Sequence, residues 1–414
     1  MIGIGVLGYG VVGSGVVELL QKNMDNFRTK INKEVSVKKI LVRNPGKYMD
    51  NNHLLTDRID EIMMEDVDII VEVMGGLDPA YDYVKRALMM KKHVVTANKD
   101  LIAAYGDELT ELADNNGVSL FYEASVGGGI PIIRPMSEYL ASNEISQIMG
   151  ILNGTTNFIL SKMFKENMKY KEALAEAQRL GFAEANPESD VMGYDAARKL
   201  SILSSIAYHK KIDWQEMNIE GIANIDEYDI KYARKLGCRI KLLAFSNIIN
   251  QQVFASVRPV MVNADSSIAK IENEFNGIIV QGDAIGSMMF TGKGAGKLPT
   301  ASAVVGDILN ILQNHKLTRG FQKNEKADIS NLWNQPGEWL LRIDSDDRYA
   351  TMGHVGGIFQ ENYFLVEDTK HRDEIVVLVK AENEQNLNNM LEGLKAISPV
   401  KSIKKMIKLG EEIA

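Results

Sequence analysis

Between Gly181 and Lys199 the chain sets four ionisable side chains close together. Glu184 and Asp190 stand in a loop broken by Pro187, and Asp195 and Lys199 stand on the helix expected to follow. Asp195 and Lys199 are four residues apart and so share one helix face. Carboxylates beside one ammonium suit a small molecule with an amino group and an oxygen that must gain or lose a proton. An isolated Asp-x-x-x-Lys pair is ordinarily a surface ion pair. Here an acidic loop precedes the pair, and a dinucleotide fingerprint opens the chain.

The elements that must position these groups begin at the first residues. Ile2–Leu7 is an apolar run of strand length, followed by Gly8-Tyr9-Gly10-Val11-Val12-Gly13 and a helix from Ser14 to Leu20. Strand, G-x-G-x-x-G and helix in that order is the context of a nucleotide-binding turn. Gly8, Gly10 and Gly13 let the backbone approach a pyrophosphate, which rests on the positive helix end at Val11 and Val12. A second strand, Val35–Val42, ends where an acidic residue would hold the adenine ribose of NAD. The chain has Arg43 there, with Lys47 nearby, and a guanidinium pairs with a 2′-phosphate. The expected cofactor is therefore NADP, with NAD as the alternative.

Strands at Val67–Met74 and His93–Thr96, with a helix opening at Pro79, continue the alternation. It predicts an α/β fold with a Rossmann-type doubly wound parallel sheet over residues 1–130. Ligands of such sheets bind beyond the carboxyl ends of the strands, where Met74-Gly75-Gly76 and Thr96-Ala97-Asn98-Lys99 fall. Glu123 then leads into Gly127-Gly128-Gly129. One carboxylate with free carbonyls is a ligand set for a hard cation, and the same stretch reads equally as a hinge between domains.

From Ile145 the pattern changes to an α+β domain over 131–318. Ile145–Leu152 reads as a strand, Thr155 or Thr156 as the cap of a helix Phe158–Lys165, and Lys171–Leu180 as a helix closed by Gly181. A helix Asp195–Tyr208 and strands at Val253–Val257 and Gly277–Val280 follow. The Gly-rich segment Thr291–Gly296 opens a helix near Pro299, a second helix terminus suited to an anionic group. Residues 319–338 read as a linker. Trp339–Ile343, Met352–Glu361 and Glu374–Lys380 suggest a small α+β module over 339–414.

Composition narrows the function classes. The chain has 414 residues, 45% hydrophobic and 25% charged, with a formal net charge of −8. That length implies more than one domain, and the acidic balance argues against nucleic acid as a partner. A single cysteine, Cys238, points to a reducing compartment. The first residues carry no charged n-region before an apolar stretch, and no run of 18 apolar residues marks a membrane span. A cytoplasmic protein without membrane partners is expected.

Over about residues 1–315 these motifs together resemble homoserine dehydrogenases. Gly181–Lys199 is similar to the signature of that family, and so are Asn153-Gly154-Thr155-Thr156-Asn157, Thr96–Lys99 and Gly294-Ala295-Gly296 with Pro299–Ser302. The resemblance implies reversible NAD(P)-dependent reduction of L-aspartate 4-semialdehyde to L-homoserine, on the route to threonine and methionine. It implies Lys199 as proton donor and Lys99 beside the nicotinamide, orienting the oxygen or sharing that task. Glu184 and Asp195 would hold the substrate ammonium, with Asp190 in support. Gly296 would join the cofactor site as the helix at about 299–315 returns to the nucleotide domain. A sodium ion would bind the Glu123 carboxylate and the carbonyls of Val126, Gly128 and Ile130. A homodimer or homotetramer is implied, together with a C-terminal ACT-like module.

The sequence departs from the family pattern in three places. Asn186-Pro187 stands where the family often has Asp-Pro, and Ser189 precedes Asp190. Asp344–Tyr349 replaces the Pro-Gly ligand loop of an ACT module, which points to a degenerate module that supports oligomerisation rather than threonine binding. Two rival functions fit less well. A phosphorylating semialdehyde dehydrogenase needs a nucleophilic cysteine, and Cys238 lies outside the motif segments. A non-catalytic cofactor binder would need no lysine aimed at the nicotinamide.

Overall fold

The computed structural model of the chain describes residues 2–23, 29, 32–48, 52–64, 66–314, 325–330, 332–367, 374–397 and 399–409. It divides into two compact units. The first comprises Met1–Ile148, Arg198–Gln215 and Asn276–Ala327; the second comprises Met149–Ala197, Glu216–Phe275 and Asp328–Ala414.

The first unit is built on β1 (Ile2–Leu7), β2 (Val35–Leu41), β3 (Leu55–Thr56), β4 (Ile69–Glu72), β5 (His93–Thr96) and β6 (Leu120–Phe121). They form one sheet in the order β3-β2-β1-β4-β5-β6, and every pair is parallel. This is the expected doubly wound order, with its switch point at β1. The strands are short apolar runs because both sheet faces are covered. Ile4, Val6, Ile69, Val71, Val95 and Phe121 are buried in one core with Val16 and Leu20 of helix Val11–Lys22. Val304, Ile308 and Ile311 of helix Lys297–Leu312 join that core, so the late helix does return to the nucleotide sheet. Each such buried side chain contributes ~1.5–3 kcal/mol. The helix starts at Lys297 rather than near Pro299, with Gly296 as its N-cap.

Strand β7 (Ile145–Ile151) follows the nucleotide sheet, and β11 (Phe275–Gly282) and β12 (Gly286–Lys293) precede the returning helix. In the second unit, β9 (Cys238–Ile249) and β10 (Gln252–Asn263) form a long antiparallel pair. The strands β8 (Asn218–Ile219) and β13 (Ile329–Ser330) lie parallel to β10. The C-terminal residues supply β14 (Gly337–Ser345), helix Arg348–Phe359, β15 (Tyr363–Glu367), β16 (Glu374–Ala381), helix Glu384–Ile397 and β17 (Val400–Lys408). Their sheet order is β17-β14-β16-β15, the split βαβ arrangement of a ferredoxin-like module.

The units are cut near Ile148, Ala197, Gln215, Phe275 and Ala327, beside the expected boundaries at 130, 318 and 338. The C-terminal strands continue the sheet of the second unit, because β17 pairs with β10 at Met261 and Lys408. Buried ions strengthen that join. Arg342 on β14 donates to Asp226 at 2.8 Å, to Asp229 at 2.7 Å and to Glu374 at 2.9 Å. Glu384 accepts from Arg258 and from the backbone of Trp333, each at 2.9 Å. The expected linker 319–338 lies partly outside the described residues. Within it, Trp333 is buried, with its ring 4.7 Å from Phe245 and 5.5 Å from Phe254. A polar, aperiodic segment has thus become core, through contacts too distant in sequence for periodicity to register. No described helix is long and apolar enough to cross a membrane.

Arg342→Ala is expected to destabilise the chain by about 3–5 kcal/mol, since Asp229, only 1% exposed, loses its guanidinium partner. Chemical denaturation followed by circular dichroism checks this. A loss below ~1 kcal/mol would mean that these pairs behave as surface ion pairs.

Candidate active site

At the carboxyl end of β1 two of the fingerprint glycines, Gly8 and Gly13, are there for steric reasons. Gly8 has φ +103°, and a Cβ on Gly13 would stand 2.1 Å from the carbonyl oxygen of Gly8. Gly10 is the helix N-cap and places no side chain over the terminus, which leaves the amides of Val11, Val12 and Gly13 open. Val11 is 67% exposed, so that end faces solvent. A cleft of about 900 Å³ begins here, lined by Gly10, Val11, Ser14, Lys47, Tyr48 and Lys297 among others. This fits an anionic dinucleotide: open helix amides, no acidic residue in the first turn, and Lys47 on the rim, while Lys297 there pairs with Glu18 at 2.7 Å. Arg43 sits just past β2, exposed, and pairs with no other described residue. Gly296 has φ +124° and likewise leaves the terminus of its helix without a side-chain cap.

Beyond β4 and β5 a buried carboxylate organises both strand ends. Glu72, the last residue of β4, accepts from the backbone of Met74 at 2.8 Å and of Gly75 at 3.3 Å, and from the Thr96 hydroxyl at 2.6 Å. Thr96 Oγ1 accepts from the Asn98 backbone at 3.0 Å. The Asn98 side chain donates to the Gly76 carbonyl at 2.6 Å and caps helix Lys99–Asn116 by accepting from Leu101 at 3.1 Å. Lys99 is thus the first residue of a capped helix, half-buried at the carboxyl edge of the sheet. Next to it, Asp100 pairs with Arg198 at 3.1 Å, and the Arg198 guanidinium lies 4.5 Å from the ring centre of Trp214. That ion pair joins the two helices that carry Lys99 and Lys199, on the residues beside each lysine.

The segment expected to bind a cation is held by a buried carboxylate. Glu123 is buried, and its carboxylate accepts from the backbone of Ile132 at 2.5 Å, Ile133 at 2.8 Å and Arg134 at 2.8 Å. Three of its roughly four lone-pair directions are used, so it is a backbone clamp. Burial pushes this carboxyl above its ordinary range, and the three amides act against that. Its own N–H donates to Asp307 at 2.9 Å, which pins this segment to the returning helix. The carbonyls of Val126, Gly128 and Ile130 accept no hydrogen bond among the described residues. Gly128 packs on the Gly294 carbonyl, where a Cβ would stand 2.4 Å away. On the other side of Gly294 the amide of Asn276 is fully buried, with no partner among the described residues. The loop can therefore offer carbonyl oxygens to a cation, with the carboxylate as a support.

In the second unit the signature carboxylates meet at Asn153. Its amide donates to Asp190 at 2.7 Å and to Asp195 at 2.9 Å. Its oxygen accepts from the Thr156 backbone at 2.8 Å, so Asn153 also caps helix Gly154–Glu166. The cap expected at Thr155 or Thr156 is displaced, because Asn153 reaches the third amide while Thr155 holds the Phe182 carbonyl at 2.7 Å. Asp195 is buried at the start of helix Tyr194–Tyr208, and Lys199 lies half-buried on the next turn. Glu184 is exposed, and among the described residues its backbone carbonyl is engaged by Gln178 at 3.1 Å. Asp190 and Asp195 are thus brought together, while Glu184 stays at the loop surface.

Sequence reading missed Glu72, Asn153 as the joining group, and the Asp100–Arg198 pair. Glu72 left one signal, a carboxylate closing an otherwise apolar strand. Asn153 left another, since Asn before Gly at a strand end is a favoured N-cap.

Comparison with known proteins places this geometry in a family. A family model described as homoserine dehydrogenase, NAD binding domain, matches residues 8–123, and one described as homoserine dehydrogenase matches residues 131–309. The homoserine dehydrogenase of Bacillus subtilis is 38% identical over 421 residues, spanning 97% of this chain and 96% of its own. The crystal structure of a homoserine dehydrogenase from Thiobacillus denitrificans superposes with TM-score 0.90 at 33% identity, covering 99% of this chain and 98% of the other. A hyperthermophilic archaeal homoserine dehydrogenase in complex with NADPH matches with TM-score 0.66 at 27% identity, over 78% of this chain and 99% of its own.

One buried lysine in the second unit generates a pH prediction. Lys241 Nζ donates to the Asn157 side chain at 2.9 Å and to the Ile271 carbonyl, bracing the helix that Asn153 caps. Burial, helped by the nearby charge of Arg239, pushes its pKa down to about 7 from 10.5. Between these values the unfolded chain binds the extra proton, so stability rises with pH across that interval. Lys241→Met is expected to flatten the rise, as read from denaturation midpoints at pH about 7 and about 9. An unchanged pH slope in the variant would contradict the assignment.

Proposed function

The chain belongs to the homoserine dehydrogenase family, and from that premise we propose which of its residues carry the reaction. The reaction is reversible, NAD(P)-dependent reduction of L-aspartate 4-semialdehyde to L-homoserine. Asp195 and Asp190, gathered by Asn153 one helical turn from Lys199, are the observation that carries the assignment. The two aspartates hold the substrate ammonium, with Glu184 closing on it from the loop. A paired ammonium and carboxylate out of water are worth more than an exposed pair, and that fixes the far end of the substrate.

The bound nicotinamide supplies the hydride. As the aldehyde carbon is reduced, negative charge grows on its oxygen, and the Lys199 ammonium donates a proton there to form the alcohol. Lys199, half-buried, regains a proton from solvent. In the oxidising direction neutral Lys199 accepts the same proton. Lys99 orients the oxygen and keeps a positive charge beside it. The open amides at Val11, Val12 and Gly13 hold the pyrophosphate, and the Gly296 terminus offers further amides.

Arg43, with Lys47, favours NADP by pairing with the 2′-phosphate, and the NADPH complex of the archaeal relative supports that reading. Sodium is proposed at the Glu123 carboxylate and the carbonyls of Val126, Gly128 and Ile130. A homodimer or homotetramer in the cytoplasm completes the proposal.

Lys199→Met is expected to lower kcat for L-homoserine oxidation by ~10²–10⁴-fold with little change in NADP affinity, the usual loss for a general acid–base group. Near-normal turnover would move the proton transfer elsewhere. Arg43→Ala is expected to reduce kcat/KM for NADP by ~10–100-fold, the worth of one charge-assisted hydrogen bond, while leaving NAD nearly unaffected. Equal losses with both cofactors would remove Arg43 from cofactor choice.

A further inference from the structure

We propose that Glu72 is a positioning residue for the reaction, acting through Thr96 and Asn98 to fix Lys99 and the Gly75-Gly76 turn relative to each other. The inference rests on the reading that Lys99 works at the nicotinamide. Glu72 is fully buried at the end of β4, where a carboxylate is costly unless each oxygen finds donors. Both oxygens do. One takes the amides of Met74 and Gly75 and so defines the turn after β4. The other takes the Thr96 hydroxyl at the end of β5, 2.6 Å away. Because Thr96 donates to Glu72, its lone pair is turned to the Asn98 amide at 3.0 Å. Asn98 then spans both loops, donating to Gly76 and capping the helix that begins with Lys99.

The chain of donors has a direction. An ionised Glu72 oxygen can only accept, so the Thr96 hydroxyl must donate and can then accept from Asn98. A Gln amide nitrogen in that place would donate to Thr96 instead of accepting from it, which reverses that bond and leaves the hydroxyl proton without its acceptor. Gly75 and Gly76, at φ +75° and +72°, are held in left-handed turns by these same bonds. Both segments lie at the carboxyl ends of adjacent parallel strands, the edge where a doubly wound sheet binds its ligand.

Steady-state kinetics with L-homoserine and NADP test the relay on Glu72→Gln, Thr96→Val and Thr96→Ser, with Lys99→Met in parallel. Thr96→Val and Glu72→Gln are expected to lower kcat by ~10–100-fold, the size of effect that a misplacement of about 1 Å produces. The KM for L-homoserine should stay within about threefold, because the carboxylates proposed to hold the ammonium are elsewhere. Thr96→Ser keeps the hydroxyl and should retain kcat close to wild type. Wild-type kcat in Thr96→Val overturns the proposal, and so does a loss in Thr96→Ser as large as in Thr96→Val, which would mark a packing role for the methyl group. The Thr96 pair decides the matter even where Glu72→Gln does not fold. If Lys99→Met keeps its turnover, the premise fails and the proposal with it. If Lys99→Met is inactive while Thr96→Val is normal, only the Glu72 relay fails.

Discussion

A carboxylate removed from water must be given hydrogen-bond donors, and this protein meets that requirement with the backbone of its own loops. Glu72 collects the turn after β4 and the hydroxyl at the end of β5. Glu123 collects three successive amides from Ile132 to Arg134, and Asp307 fixes Glu123 in turn. Asp190 and Asp195 share the amide of Asn153. In each case the cost of burial is offset only while the loop keeps its shape, so a local electrostatic demand becomes a geometric specification. Loops beyond the strand ends, otherwise the most mobile part of an α/β fold, are thereby given fixed positions.

The same requirement divides the charged groups into two kinds. Glu72, Glu123 and Asp307 have their oxygens engaged by the protein, and burial raises all three from their ordinary range. These groups hold structure. Lys99, Lys199 and Glu184 are half-buried or exposed, which leaves them in reach of a ligand and of solvent protons. Asp190 and Asp195 stand between the two kinds. Each takes a bond from Asn153, and two carboxylates held this close present the negative charge that suits a substrate ammonium. The lysines are aligned indirectly, through the Asp100–Arg198 pair on their flanking residues.

Much of this was legible in the sequence. Period and punctuation gave β1, β2, β4 and β5 of the nucleotide sheet, whereas the two-residue β3 is too short to leave a period; the glycine turn sits where its spacing implied, because Gly8 and Gly13 leave no room for a side chain. The helix of Asp195 and Lys199 begins one residue before its expected start. What escaped depends on partners far apart in the chain. Glu72 and Thr96 are 24 residues apart, and Arg342 and Asp226 are 116 apart. No local pattern encodes such pairs. Trp333 was lost in a polar segment for the same reason, since its partners Phe245 and Phe254 lie on strands read separately. The three amides that Glu123 accepts from lie about ten residues on, and they too are invisible until the chain folds back.

The account turns on the proposal that Asp190 and Asp195 hold the substrate ammonium. It is tested most directly by comparing kcat/KM for L-homoserine with that for 4-hydroxybutyrate, the same alcohol and carboxylate without the amino group. A site built to hydrogen-bond a group rejects the analogue lacking it, because its own polar atoms are left unpaired. The expected result is at least ~10³-fold discrimination in favour of L-homoserine, on the scale of sites that bind a substrate polar group. Comparable kcat/KM values for the two alcohols would contradict the account and leave the clustered aspartates with a structural role alone.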